Sequence, residues 1–321
     1  MPIFDKRILT EQAKQLGFLT APFEKMSRLI EVLHFLNDRE DLSEKLALKG
    51  GTSINLTVFN LPRLSVDIDL DFTKNLTREE TRIERDKIDS ILERYMAAAG
   101  YTKKDKSKRT HILDSYVFSY TNAAGNPDNI KVEINYALRA HVLAYSETEI
   151  LTTGIFPQLA IRTLNPIEIF SSKIVALSSR AAARDLYDIN NMVQFEVFNE
   201  PEKLMLRKCA VFYAAVAGEV AETALNFSRM EDITAYKVRT DLVPMLRKTE
   251  RFEVQSARNR VSEFLRKYIE LSDDERTFVK QFRQGNYKPQ LLFDDAEIIK
   301  RIESHPMAMW RLRNIRDRQE R

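Results

Sequence analysis

The feature that most constrains this chain is the segment SVDIDLDF at 65–72, where acidic and apolar residues alternate. Side chains alternate across a β-strand, so Asp67, Asp69 and Asp71 share one face and the apolar residues share the other. The apolar face predicts a strand fixed in a core. Three carboxylates in a row repel one another unless a cation neutralises them, and such oxygen ligands suit Mg²⁺ or Mn²⁺ better than Zn²⁺. An edge strand with a solvated acidic face is the alternative.

Composition limits the architecture and the setting of the protein. A chain of 321 residues with 44% hydrophobic content is long enough for about two domains with buried cores. With 50 Lys and Arg against 47 Asp and Glu, the net charge is only +3, so any nucleic-acid footprint must be local. A single cysteine, Cys209, and the lack of a long apolar run predict a cytoplasmic protein without a membrane partner.

The order of predicted elements favours an α+β fold. Helices over 8–38 precede a strand, a Gly-Gly turn, a short helix and the acidic strand, and a charged helix over 77–99 leads into a hairpin. We therefore expect a small mixed sheet with flanking helices in a domain of residues 1–195 and a C-terminal helical domain of residues 196–321. The predicted helices after Pro166 span 166–195, 201–225, 231–248, 253–270 and 272–284.

A glycine turn lies directly before the acidic strand. Gly50 and Gly51 end the first predicted strand, and Thr52 and Ser53 are hydroxyl residues able to cap the helix that follows. Backbone N–H groups and hydroxyls in such a turn can approach phosphate oxygens closely. Paired glycines also make ordinary turns, but beside an Asp-x-Asp strand they predict a phosphate site next to a metal pair.

Together, LKGGTSINL and RLSVDIDLDF resemble the nucleotidyltransferase superfamily, and within it the AbiEii/AbiGii toxin family of type IV toxin–antitoxin and abortive-infection systems. The resemblance implies a nucleotidyltransferase core and an enzyme that moves a nucleotide from a nucleoside triphosphate to an acceptor hydroxyl with Mg²⁺ or Mn²⁺. It implies a cognate antitoxin, or its operator-bound form, as partner. It also makes Glu133 in IKVEINY the third metal ligand beside Asp67 and Asp69. We expect Asp71 to be peripheral, because it lies about 7 Å further along the strand face than Asp67. The spacer between Gly51 and Asp67 is longer than is common in the superfamily.

The same resemblance covers SSKIVALSSRAAARDLYDI, which contains a lysine, two arginines and two aspartates. On a continuous helix the three cations would lie within about 20° of one another. The resemblance implies that a surface-facing Lys173 contacts the triphosphate, that Arg180 and Arg184 help to hold the nucleotide, and that Asp185 orients a cation or a nucleotide group. A solvated basic helix face is the alternative. The motif residues are Lys173, Arg180, Arg184, Asp185 and Asp188.

Three local basic stretches suggest an RNA acceptor, and the tRNA-targeting toxins of the resembled family point the same way. These stretches are 103–109, 237–267 with Arg258 and Arg260, and the last eleven residues, which contain five arginines. Clustered cations attract a phosphate backbone in a salt-sensitive manner even when the net charge is small. Solvated loops and helix surfaces would carry the same residues.

Other functions remain open at this stage. A small-molecule nucleotidyltransferase of the antibiotic-resistance kind would share the core but would need an acidic pocket for a cationic drug. A non-catalytic nucleotide- or RNA-binding protein could keep the fold. A metal-dependent glycosyltransferase also uses Asp-x-Asp but does not explain the Gly-Gly turn. The chain has no GxxxxGK[ST] loop and no Ser-His-Asp or Cys-His arrangement, which argues against a P-loop ATPase and a nucleophilic hydrolase.

Overall fold

The computed structural model describes residues 4–151, 154–219 and 225–319. The chain forms two compact units. The sheet unit comprises Met1–Arg139, Tyr145–Leu164 and Met245–Glu250, and the helical unit comprises Ala140–Ala144, Asn165–Pro244 and Arg251–Arg321. The boundary therefore differs from the one expected at residue 195. The reason is that the helices between 166 and 194 pack on later helices of the chain.

The sheet unit contains five helices and eight strands among its described residues. The helices are α1 (Lys6–Leu16), α2 (Thr20–Asn37), α3 (Glu40–Ser43), α4 (Gly50–Thr57) and α5 (Arg78–Ala98). The strands are β1 (Leu46–Lys49), β2 (Asp67–Phe72), β3 (Thr102–Lys103), β4 (Lys108–Arg109), β5 (Leu113–Thr121), β6 (Pro127–Asn135), β7 (Ser146–Glu149) and β8 (Ala160–Thr163).

These strands form one mixed sheet in the order β3-β5-β6-β2-β1-β8-β7, with β4 also paired to β5. Strand β2 is parallel to β6 and antiparallel to β1, whereas β5 and β6 form the predicted antiparallel hairpin. The α+β class with a mixed sheet is confirmed. Sequence analysis missed the short strands β3, β4 and β7, which are only two to four residues long.

The apolar face of β2 lies in the core as its alternation predicts. Ile68 and Phe72 have no solvent exposure, and they belong to a cluster with residues from α2, α5 and β6. Each such side chain contributes about 1.5–3 kcal/mol by leaving water. Because this face is fixed, the acidic side chains of β2 are held on the opposite face.

Helix α5 is anchored at both ends and along its length. Thr77 and Glu80 form a capping box at its start, and Gly100 follows its end with φ +83°. Along its buried side, Arg85 Nε donates to Asp114 Oδ2 on β5 at 2.7 Å, and both side chains are almost fully buried. The predicted helix 77–99 is confirmed.

The helical unit holds eight helices among its described residues, and three expected helices have other bounds. The predicted helix 166–195 is broken in two, and the predicted helix 231–248 is a series of short turns of 3₁₀, α and π type. The predicted helix 201–225 ends at Ala217, before a left-handed Gly218, and its residues 220–224 lie outside the described residues. The helices are α6 (Pro166–Ser179), α7 (Ala183–Gln194), α8 (Glu200–Ala217), α9 (Ala235–Lys237), α10 (Val254–Tyr268), α11 (Asp273–Arg283), α12 (Ala296–Ile302) and α13 (Pro306–Gln319).

Cys209 is buried on α8, as expected for a residue that acts as a small hydrophobe. In the part of the chain that the structure describes, no helix combines the length and the apolar character needed to cross a bilayer.

The buried ion pair of Arg85 and Asp114 can be compared with the exposed ion pair of Arg109 and Asp86. We expect Asp114→Ala to lower the free energy of unfolding by about 3–5 kcal/mol, because it leaves the Arg85 charge buried without this carboxylate. Asp86 pairs with Arg109 at 2.5 Å where both side chains are about half exposed, so Asp86→Ala should cost under about 1 kcal/mol. Urea denaturation of both variants measures the difference, and equal losses would contradict it.

Candidate active site

The strand register brings the predicted carboxylates together on one face of the sheet. Strand β2 pairs with β6 so that Asp69 lies beside Glu133 and Asp67 lies beside Lys131. Neighbouring strands are about 4.8 Å apart, so the backbones of Glu133 and Asp69 are direct neighbours. On the other side, β1 places Lys49 beside Asp69. Asp69 is therefore flanked by a carboxylate and an ammonium group.

Asp69 lies among charges that together disfavour its ionised form. Burial raises the pKa of its carboxyl, Lys49 and Lys131 oppose that rise, and the charges of Asp67 and Glu133 add to it. The rise shows that the two lysines do not compensate fully for burial and for the neighbouring carboxylates. An additional cation at this position would stabilise the ionised form.

Asp71, which we expect to be peripheral to the metal site, is buried and paired with a lysine. Its side chain has no solvent exposure, and its Oδ1 lies 2.5 Å from Lys49 Nζ. Burial raises the pKa of Asp71, and the ion pair with Lys49 counteracts that effect. Asp71 thus holds Lys49 on the acidic face. Sequence analysis missed Lys49, because only the antiparallel register of β1 with β2 shows that it faces the aspartates.

The glycine turn is packed against the same carboxylates. Gly50 has φ +70°, and a Cβ built on it would lie 2.7 Å from Asp69 Oδ2. Glycine is required here for two independent reasons, a left-handed backbone and the absence of space. Helix α4 begins at Gly50 itself with Lys49 as its N-cap, so the expected capping by Thr52 or Ser53 is wrong.

The two hydroxyls that follow the turn have different surroundings. Thr52 Oγ1 is buried, bonded to the carbonyl oxygen of Asp67 and 2.8 Å from Ser65 Oγ, so it ties α4 to the start of β2. Ser53 is 1% exposed, and among the described residues no group hydrogen-bonds to its Oγ. The Thr52 hydroxyl therefore has a positioning role, and Ser53 retains an unsatisfied polar atom beside the turn.

Arg63 lies behind the glycine turn and was missed by sequence analysis. Its side chain is 2% exposed, Nη1 donates to the carbonyl oxygen of Leu64 at 2.9 Å, and a Cβ on Gly51 would lie 2.7 Å from Nη2. The guanidinium group therefore places a positive charge directly against the backbone where phosphate binding is expected. Arg63 is the first residue of the segment RLSVDID, but nothing in the sequence shows that its side chain packs against Gly51.

The spacer between α4 and β2 is held by a distant segment of the chain. The segment Met245–Glu250, which we call the strap, joins the sheet unit although its flanking residues belong to the helical unit. Arg247 Nη2 donates to the carbonyl oxygens of Asn60 at 3.1 Å and Leu61 at 3.2 Å, and Leu61 has an unusual positive φ of 51°. The strap therefore binds the loop at Asn60 and Leu61.

The motif residues of the helical unit form a buried ion-pair cluster. Lys173 Nζ lies 2.7 Å from Asp188 Oδ2 and 3.1 Å from Asp185 Oδ1, and the lysine is 8% exposed. The expectation of a surface-facing Lys173 is therefore wrong. Two carboxylates fix the orientation of its ammonium group.

The expected stripe of three cations on one continuous helix is also wrong. Helix α6 ends at Ser179, Arg180 is extended, and α7 begins at Ala183. Arg180 Nη2 nevertheless reaches Asp185 Oδ2 at 2.8 Å. Burial alone would raise the pKa of Asp185, but Lys173 and Arg180 outweigh it and lower that pKa. Arg184 lies in the first turn of α7, partly buried.

Asp67, Asp69 and Glu133 offer carboxylate oxygens, which are the type of ligand that Mg²⁺ and Mn²⁺ prefer. They lie on the neighbouring strands β2 and β6. In the conformation that the structure describes, however, no three acidic, histidine or cysteine side chains of residues 4–151, 154–219 and 225–319 are grouped closely enough to hold a metal ion. One reason is visible on β6, where Glu133 Oε1 is paired with Lys131 Nζ at 2.9 Å.

The fold and this acidic face can now be compared with known proteins. A family model described as nucleotidyl transferase AbiEii toxin of type IV toxin–antitoxin systems matches residues 34–285. The chain belongs to the AbiEii toxin family. It is therefore a nucleotidyltransferase toxin of a type IV toxin–antitoxin system, as the motifs predicted, with a nucleotide substrate and an antitoxin partner.

A solved structure supports the fold assignment. MenT4, a nucleotidyltransferase toxin from Mycobacterium tuberculosis H37Rv, is similar over 85% of this chain and 92% of its own, with a TM-score of 0.63 and 18% sequence identity. No curated protein matches this AbiEii family member.

Two arginines expected at the RNA surface are engaged within the helical unit. Arg258 donates to the carbonyl oxygens of Met230 and Ile233 at 3.1 and 2.5 Å, and its side chain is 11% exposed. Arg260 Nη1 donates to Asn190 Oδ1 at 2.5 Å. Both arginines therefore bind protein groups, and Arg258 has a structural role that replacing it with glutamate would destroy.

The other basic stretches are divided between ion pairs and solvent. Lys103 pairs with Glu93, and Arg109 pairs with Asp86, whereas three further lysines of the stretch are exposed: Lys104, Lys106 and Lys108. In the C-terminal stretch, Arg321 and the side chain of Arg318 lie outside the described part of the chain.

The buried lysine cluster generates a stability prediction. We expect Lys173→Ala to lower the free energy of unfolding by about 3–5 kcal/mol, because Asp185 and Asp188 lose a buried counter-ion. Arg180→Ala, at a side chain that is 65% exposed, should cost under about 1 kcal/mol. Denaturant titration at neutral pH measures both, and a fully stable Lys173→Ala variant would refute the buried role.

The same cluster predicts a pH dependence. The pKa of Asp185 is lowered in the folded protein, so its stabilising contribution is fully present above its unfolded pKa of about 3.9 and is lost as the pH falls through the lower folded value. Wild-type protein should therefore lose more stability on acidification than Lys173→Ala. Parallel titration curves would contradict the prediction.

The glycine turn gives a matched pair of substitutions. Gly50→Ala and Gly100→Ala both introduce a side chain at positive φ, but only Gly50 has Asp69 within 3 Å, and nothing lies within 4 Å at Gly100. We expect Gly50→Ala to displace Asp69 and lower nucleotidyl transfer by about 100-fold. Gly100→Ala should keep near wild-type activity per folded molecule. Equal activities of the two folded variants would show that contact with Asp69 is unimportant.

Proposed function

We propose that this toxin transfers a nucleotidyl group from a nucleoside triphosphate to a hydroxyl group of RNA in a reaction that depends on a divalent metal ion. The observation that carries the proposal is the register that sets Asp69 beside Glu133, with Asp67 on the same face, against a glycine turn at the start of α4. Carboxylates beside a phosphate-binding turn are what phosphoryl chemistry of this class requires.

The metal ion would be held by Asp67, Asp69 and Glu133. A divalent cation bound there would lower the pKa of the attacking hydroxyl and stabilise charge on the leaving oxygens. The raised pKa of Asp69 supports this assignment, because an ionised Asp69 lacks sufficient positive charge around it.

The chain's own groups bind and orient the triphosphate. Helix α4 begins at Gly50, so Gly50 and Gly51 lie in its first turn, where backbone N–H groups have no partner within the helix. The guanidinium group of Arg63 lies next to Gly51 and adds a positive charge there. Ser53 adds a hydroxyl that no described residue uses. The predicted contact of Lys173 with the triphosphate, and the predicted roles of Arg180 and Arg184, remain predictions.

The reaction balances as a single displacement. The acceptor hydroxyl loses its proton to solvent water and forms a bond to the α-phosphorus, while the bond from that phosphorus to the bridging oxygen of the β-phosphate breaks. Pyrophosphate leaves with the electron pair of that bond. Oriented backbone dipoles and cations favour this step because they are in place before negative charge builds up on the leaving oxygens.

An RNA acceptor is supported by cations whose side chains are exposed to solvent. Lys104, Lys106 and Lys108 are exposed on the sheet unit, which also carries the aspartates. Arg239, Arg266 and Lys267 are exposed on the helical unit. Such side chains can follow a phosphate backbone without reading its sequence.

The test is to incubate the toxin with α-labelled nucleoside triphosphates, Mg²⁺ and total RNA, and then to separate RNA from small molecules. We expect label on RNA with wild type and a loss of at least about 100-fold with Asp69→Asn or with excess chelator. Asp86→Asn, which changes an exposed aspartate of the same unit, is the control and should stay active. Label on a small acceptor alone would replace RNA with a small-molecule substrate, and transfer without a divalent cation would refute the metal site.

A further inference from the structure

We infer that Lys131 is a built-in competitor of the divalent cation, because it holds Glu133 in an ion pair that must break before Glu133 can ligate a metal ion. The inference rests on the proposed metal-dependent function and concerns how its site is assembled. It predicts that removing this lysine makes the site bind divalent cations more tightly.

The contact between the two residues is direct. Lys131 Nζ lies 2.9 Å from Glu133 Oε1, and their side chains are 38% and 23% exposed. Because they are two residues apart on β6, both project from the acidic face of the sheet. The register sets Lys131 beside Asp67 and Glu133 beside Asp69. Lys131 is thus next to the candidate metal ligands.

Carboxylates outnumber lysines on this face of β1, β2 and β6. Asp67, Asp69, Asp71 and Glu133 lie there with Lys49 and Lys131. A cation beside Asp69 would therefore stabilise the ionised carboxylates around it.

The two lysines differ in how easily they can yield to a metal ion. Lys49 is paired with Asp71, whose side chain is fully buried. Lys131 is paired with a partly exposed glutamate and is itself more exposed. Water can therefore solvate Lys131 and Glu133 after they separate far more readily than it can solvate the buried Asp71. Lys131 is therefore the resident cation that the metal ion displaces.

This exchange also explains the arrangement of the carboxylates. No three acidic side chains among the described residues are grouped closely enough to hold a metal ion, although the backbone register sets Glu133 beside Asp69. Rotation of Glu133 away from Lys131 changes only side-chain torsions and leaves the sheet intact. The apparent metal affinity is the intrinsic affinity multiplied by the fraction of molecules in which the glutamate is not paired with Lys131.

Mn²⁺ binding, followed by the electron paramagnetic resonance signal of the free ion without nucleotide, tests the inference. We expect Lys131→Met to lower the Mn²⁺ dissociation constant by about three- to tenfold, from release of Glu133 and loss of a nearby positive charge. Lys103→Met removes an exposed, ion-paired lysine of the same unit and should leave the constant unchanged. Thermal unfolding confirms that each variant is folded.

A double variant separates release of Glu133 from simple loss of charge. In the Glu133→Gln background, Lys131→Met should give a smaller gain in affinity than it gives in wild type, because only the loss of charge remains and no ligand is released. Unchanged or weaker binding by Lys131→Met in wild type overturns the inference, and so does an equal gain in both backgrounds.

Asp69→Asn distinguishes this failure from failure of the proposed function. If wild type and Asp69→Asn bind Mn²⁺ equally weakly, the metal site itself is absent and both proposals fall. If wild type binds and Asp69→Asn does not, while Lys131→Met equals wild type, only the role of Lys131 is refuted.

Discussion

Repulsion among the carboxylates of β2 is the constraint on which the site depends. The apolar face of the strand, with Ile68 and Phe72 fully buried, prevents the carboxylates from turning away from one another. Each neighbour compensates for this in its own way. Strand β1 supplies Lys49, β6 supplies Lys131, and Gly50 leaves the space that Asp69 occupies. The glycine turn therefore packs directly against the Asp69 carboxylate. The spacing of the two motifs predicts that they are neighbours, but it does not predict this contact.

The parts of this arrangement that depend on local periodicity could be predicted from the sequence. Alternation over 65–72 predicts both faces of β2, and the Gly-Gly turn before a helix predicts a left-handed residue at the start of α4. Glu133 could be proposed because its own strand alternates in the same way. Its place beside Asp69 depends on the parallel register of β2 and β6, which no single segment encodes.

The rest depends on long-range packing, which sequence periodicity does not report. The angle between Lys173 and Arg180 could be calculated only for a continuous helix, and the run Ala181, Ala182 and Ala183 favours helix by propensity. The chain breaks there nonetheless, and Arg180 still pairs with Asp185. Arg247 is similar, because its bonds to the loop at Asn60 and Leu61 join segments almost two hundred residues apart.

Two lysine–carboxylate groups in this chain show how burial decides what an ion pair can do. Lys173 lies between two buried aspartates, and breaking such a pair leaves charge in a medium of low polarity, at a cost of about 3–5 kcal/mol. Lys131 pairs with Glu133 near solvent, where an ion pair contributes about 0.2–1 kcal/mol. The first group therefore keeps its ammonium group in a fixed position. The second is weak enough for a divalent cation to displace Lys131 from Glu133.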